Sequence, residues 1–174
     1  DKLTWQDNET FFQVTWAGYY RLIFRVNAIL SQLEAIGDDA SIGNKGQIIG
    51  EAKFLRALAY FDLVRLFGPV QLIDRVVYAE EALQMPREDI NKVYVLIISD
   101  LLDAKNNLPA QYSAKDVGRA TKGAASALLG RVYLTQKDFP NAETTLKEVT
   151  TLGYALLPNY NDLWNYSIEH HSEY

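Results

Sequence analysis

Few residues in this chain have the type and spacing to do chemistry. His170 and His171 are its two histidines. Adjacent side chains point to different sides of a helix or strand, so the pair is a poor chelate for one ion. Asp38-Asp39 and Glu80-Glu81 are paired carboxylates, without the alternating ligand spacing of a calcium loop. The "GNKG" segment lacks the spacing and the preceding strand of a phosphate-cradling loop. With no cysteine there is no thiolate ligand, disulfide or cysteine nucleophile, and no Ser/His/Asp set assembles. These residues point away from an enzyme, a metal and a cofactor. Trp5 stands apart. It sits in the polar stretch "DKLTWQDNET", outside any periodic pattern and beside Asp7 and Asn8. An apolar ring face with short polar groups next to it suits a sugar, whose CH groups stack and whose hydroxyls need partners. Trp5 is therefore the one candidate ligand contact.

The charged residues of "EAKFLRALAYFDLVRLFGPVQLI", residues 51–73, belong to the scaffold. At 100° per residue, Glu51, Asp62 and Arg65 share one strip, and Lys53 with Arg56 another. Two apolar arcs lie between them: Ala52, Leu55, Ala59, Leu63 and Leu66, then Phe54, Ala57, Leu58, Phe61 and Val64. Two stripes mean a helix packed between two neighbours, with charges at the seams and their long stems along apolar surface. Arg56 and Arg65 thus read as structural pairs. Arg119 reads equally as an interhelical contact or a surface charge.

The remaining elements follow from spacing. Phe12, Trp16, Tyr19, Ile23, Val26, Leu30 and Leu33 predict a helix over residues 10–36, capped by Asp7 or Asn8 and ended by Gly37. A second helix ends at Phe67, stopped by Gly68-Pro69. Residues 68–88 form a long connection, with "VQLI" as a possible extended piece. Further helices are predicted over residues 89–107, 121–136 and 141–152, before a largely irregular tail. No strand pattern is present. Tyr60, Phe61, Phe67 and Tyr133 fall in helical register, so they belong to the core rather than to stacking platforms, and Trp16 and Trp164 read the same way. In Leu129-Gly130-x-x-Tyr133, with Ala142-x-x-x-Leu146 in the partner helix, the tetratricopeptide pattern is legible. The fold class is all-α, with tetratricopeptide-like helical hairpins and long loops.

At 174 residues with 48% hydrophobic content, the chain can build a core as a single helical domain, 1–174. A net charge of −5 argues against a nucleic-acid partner. It starts at Asp1 and ends at "YSIEHHSEY", which reads as a piece of a longer protein.

Three stretches go beyond a generic helical array: "WAGYYRLIFRVNAIL", "GEAKFLRALAYFDLVRLFGPVQLI", and "GRATKGAASALLGRVYL" with its sequel "DFPNAETTLKEVTTLGYALLPNYNDLW". In this order they resemble the SusD/RagB family of surface glycan-binding lipoproteins, from about Trp16 to Trp164. The resemblance implies a helical scaffold under a loop-rich ligand region, a lipid anchor in the outer membrane, an oligosaccharide ligand and no catalysis. It implies one protein partner, a SusC-like TonB-dependent transporter that the lipoprotein covers. Family members are much longer, and their glycan contacts lie largely in parts that this chain lacks, so no binding residue carries over. A generic tetratricopeptide-like adaptor for protein segments is the second reading.

Overall fold

The computed structural model describes residues 10–37, 43–156 and 158–164. Among these described residues six α-helices follow in order: α1 (Thr10–Ile36), α2 (Lys45–Phe67), α3 (Ala79–Ala82), α4 (Ile90–Asn107), α5 (Lys122–Thr135) and α6 (Phe139–Thr150). Short 3-10 turns cover Ala114–Asp116 and Tyr160–Trp164, and no strand occurs among the described residues. The predicted helices are all present, with ends that shift by one or two residues. "VQLI" is irregular rather than a strand, and the tail holds one 3-10 turn. Asp7 and Asn8, the expected caps of α1, lie outside the described residues.

The contacts divide the chain into two compact units. The first comprises residues up to 45 together with 55–97. Ile23 and Val26 of α1, Ala59, Tyr60 and Leu63 of α2, Val70 of the connection, and Val93 and Ile97 of α4 form its buried interior. α2 stops at Gly68, which takes φ +70°, a conformation that glycine adopts without Cβ strain. Its N–H bonds back to the Val64 carbonyl at 3.0 Å, and Pro69 prevents continuation. The chain then runs irregularly yet buried, with Val70, Ile73 and Val77 turned inward.

Such a segment is possible only if its backbone polar groups find partners. They do. Asn27 Nδ2 donates to the Ile73 carbonyl at 3.0 Å and to the Arg75 carbonyl at 2.9 Å. Arg56 Nη1 donates to Asn27 Oδ1 at 2.7 Å and to the Asp74 carbonyl at 3.0 Å. The Tyr60 hydroxyl accepts from the Ile73 N–H at 2.6 Å, and the Tyr20 hydroxyl donates to the Gln71 carbonyl at 2.8 Å. This corrects the seam reading of Arg56. Its head does not reach water; the residue is 5% exposed and is the centre of the clamp. The apolar arcs also need correction, because Leu55 and Leu66 are exposed while Ala52, Ala59 and Leu63 of the same arc are buried.

The second unit comprises residues 46–54 and those from 98 onward. Ala104, Leu108 and Ala125 form a core cluster there, with Phe54 and Ala120 against it. The α5–α6 hairpin carries the tetratricopeptide pattern. Thr121 caps α5 by accepting from the Ala124 N–H at 3.1 Å, and Asp138 caps α6 through the Asn141 N–H at 3.3 Å. A Cβ built on Gly130 would lie 2.5 Å from Cγ and Cδ2 of Leu146, so only glycine permits this approach. The small residue of α6, Ala142, is buried, but the side chain seated on Gly130 is Leu146.

Two consequences are measurable by chemical denaturation. Leu63→Ala should cost about 2–5 kcal/mol, because that side chain is fully enclosed, whereas Leu66→Ala should stay within about 0.5 kcal/mol. Equal costs would show that the two positions share one environment. Gly130→Ala should destabilise by about 1–3 kcal/mol through overpacking against Leu146, and a variant as stable as the parent would refute the close helix approach.

Candidate functional site

The aromatic residues divide into those used up by the core and those left at the surface. Tyr60 and Phe61 are buried, as expected, and Tyr60 is further committed to the clamp. Burial raises the Tyr60 hydroxyl well above the ordinary tyrosine value, so it stays protonated. Tyr133 is half-buried. Trp164 departs from expectation: it is 76% exposed and meets Tyr160 edge-on, with ring centroids 6.5 Å apart. Trp5, the sequence-based candidate, lies outside the described residues, as do Asp38, Asp39, His170 and His171.

Trp16 is neither buried nor free. It packs at 4.9 Å from Tyr20 and edge-on to Phe67 at 5.1 Å. Trp16 and Phe67, together with Phe12, Gln13, Leu66 and Arg87, line an open cleft of about 510 Å³. All the lining residues belong to the first unit. Phe12 and Trp16 lie one turn apart on α1, so they share a face. Leu66 and Phe67 arrive because α2 ends just there. Arg87 comes from the end of the long connection. Its Nη1 donates to the Pro69 carbonyl at 3.1 Å, and its guanidinium lies 5.4 Å from the Trp16 ring centroid. That is a cation–π contact holding a planar donor group over an aromatic wall.

The sequence reading missed this cleft. The i, i+4 pair Phe12/Trp16 was a visible signal, but it resembled core spacing. Nothing local placed Arg87 beside them.

The other charges are structural. Arg65 stacks over Phe61 at 5.0 Å and lies 3.8 Å from Asp62, which accepts from the Tyr19 hydroxyl at 2.8 Å. Glu81 pairs with Arg75. Arg119 resolves as a long-range contact: its Nε donates to Glu51 Oε1 at 2.9 Å, and Nη2 pairs with the second oxygen. Tyr112 and Gln47 also donate to Glu51, at 2.7 Å and 3.0 Å. Burial opposes ionisation of Glu51, but the Arg119, Tyr112 and Gln47 donors outweigh it, and its pKa is lowered. Burial and the neighbouring Glu51 charge push the Tyr112 hydroxyl up to about 12. This cluster ties α2 to the loop before α5; it is not a site. Among the described residues no group of three or more His, Cys, Asp or Glu could hold a metal ion.

With the geometry in place, comparison with known proteins decides the family. A family model described as "Starch-binding associating with outer membrane" matches residues 1–134. The chain belongs to the SusD-like family. A SusD-like protein of Formosa agariphila, P25, is 31% identical over 163 residues, covering 91% of this chain and 30% of that protein. The starch-binding protein SusD of Bacteroides thetaiotaomicron is 27% identical over 180 residues, covering 92% and 31%. A solved laminarin-binding SusD-like protein superposes with a TM-score of 0.85 at 37% identity, covering 91% of this chain and 36% of the other. This SusD-like chain thus spans about a third of the length of these relatives, and over that span its helical fold matches that of the laminarin-binding protein.

The Glu51 cluster makes a pH prediction. Its folded pKa lies below the unfolded value of about 4.3, so its stabilisation is complete above that value and lost as pH falls through the folded one. Glu51→Gln should therefore shrink the drop in melting temperature between about pH 5 and about pH 3. An acid limb identical in parent and variant would show that Glu51 does not titrate differently on folding.

Proposed function

We propose that this SusD-like chain serves non-catalytic oligosaccharide capture at the bacterial outer-membrane surface, by a lipid-anchored protein that delivers its ligand to a SusC-like TonB-dependent transporter. The observation that carries the reading is family membership. Relatives covering nearly all of this chain are described as starch-binding and laminarin-binding, and the matching family description places its members at the outer membrane. No helix among the described residues is long and apolar enough to cross a membrane.

The division of aromatic residues supports a scaffold role. Sugar binding needs several ring faces and polar groups converging on one concave site. Tyr60 and Phe61 are committed to the interior, which leaves the open cleft at Trp16 as a single aromatic contact point among the described residues of the first unit. Trp5 remains a candidate contact on the sequence grounds given above. In this reading the 174 residues are the helical portion of a longer protein, and most of the ligand site lies outside them.

One stacking contact contributes about 1 kcal/mol, against the roughly 4 kcal/mol that even millimolar affinity requires. In calorimetric titrations with a panel of neutral oligosaccharides, the complete product of the gene should bind, and the 174-residue chain should bind poorly or not at all. Equal affinities would place the whole site within residues 1–174. No binding by the complete product would overturn the capture function.

A further inference from the structure

The cleft lined by Phe12, Trp16, Phe67 and Arg87 has features that a structural gap between helices does not need. Its volume of about 510 Å³ falls within the range of small-ligand sites, roughly 300–1,000 Å³. Its walls are aromatic and aliphatic, yet a guanidinium stands over one of them. Arg87 meets no carboxylate among the described residues, and its hydrogen bonds there run through Nη1 alone, to the carbonyls of Pro69 and Phe67. The Pro69 bond and the Trp16 ring fix the guanidinium plane from two directions. The edge formed by Nε and Nη2 is left without a partner from those residues.

That combination selects an occupant. A purely apolar group filling the cleft would strip water from the charged N–H donors and give nothing back. A neutral sugar would use the ring walls but leave the charge unmatched. A carboxylate satisfies the guanidinium edge in a two-point, charge-assisted geometry that a fixed planar donor favours. We propose that this cleft seats an acidic sugar unit, a uronate, of the captured oligosaccharide, with its carboxylate on Arg87 and its ring against the aromatic wall. The inference rests on the oligosaccharide reading above and narrows it to a class. So open a cleft is one contact point among several, in keeping with weak binding by the 174 residues alone.

The test uses the complete product of the gene. Calorimetric titrations compare tetramers of galacturonic, glucuronic and mannuronic acid with their methyl esters, which keep the size and lose the charge. At least one acid should bind ten-fold or more tighter than its ester, and added salt should narrow the gap. Arg87→Gln should weaken the acid at least ten-fold and the ester far less, so that the preference for the acid over its ester is lost. Because Arg87 also holds the Pro69 carbonyl, Gln13→Glu serves as a second variant; it adds a negative charge at an exposed position and should weaken the acid several-fold. Melting temperatures monitor folding in both. Acids and esters binding alike, or both variants binding the acid like the parent, would overturn the uronate assignment. If neutral oligosaccharides bind and acids show no preference, the assignment alone falls. If nothing in either panel binds, the capture function falls with it.

Discussion

The buried guanidinium of Arg56 is the contact on which the first unit depends. A stretch of irregular chain after Gly68 runs through the interior, where every unpaired carbonyl would cost several kcal/mol in lost hydration. Arg56 and Asn27 bring a charged donor and an amide to the carbonyls of residues 73–75, while Tyr60 and Tyr20 serve residues 71 and 73. Only because these groups are satisfied can Val70, Ile73 and Val77 be pressed into the core. The cost of burying a charge is offset by a network in which Asn27 both accepts from Arg56 and donates to the loop.

The clamp reaches the candidate site. With residues 70–75 fixed, the Val70 carbonyl accepts from the Glu88 N–H at 2.8 Å, and the Pro69 carbonyl accepts from Arg87. The long excursion through α3 therefore returns to where it left. Arg87 is delivered to the end of α2, beside Trp16. A cleft whose walls come from two helix ends and whose charge comes from a returning loop is positioned by the loop's anchorage, not by the helices alone.

The second unit solves its packing by different means. Gly130 removes a side chain so that Leu146 can sit against the helix axis, and caps at Thr121 and Asp138 define where α5 and α6 begin. Lys105 pairs with Glu148, and Glu51 gathers Arg119, Tyr112 and Gln47. Such partly exposed pairs contribute little stability singly; their effect is to specify which loop lies against which helix. This chain matches SusD-like relatives over about a third of their length.

Helix positions, the tetratricopeptide-like hairpin and the family resemblance were all legible in the sequence, because each rests on local spacing. Periods of three and four mark a buried helix face, Gly68-Pro69 must end a helix, and Gly130 within Leu129-Gly130-x-x-Tyr133 signals close approach by its lack of a side chain alone. Long-range partners were not legible. Arg56 sits on a polar strip of its helix and so read as a solvated seam residue; only the fold brings Asn27 and the Asp74 carbonyl to it and makes it interior. Leu66 continued an apolar arc yet is exposed, and Trp164, which read as structural although it stands in an irregular tail, lies exposed too. Trp16 looked like core, and became one wall of a cleft when Arg87, 71 positions later in the chain, was laid across it. Periodicity reports which face of an element is apolar. What that face meets depends on contacts between residues far apart in sequence, and those only the tertiary structure decides.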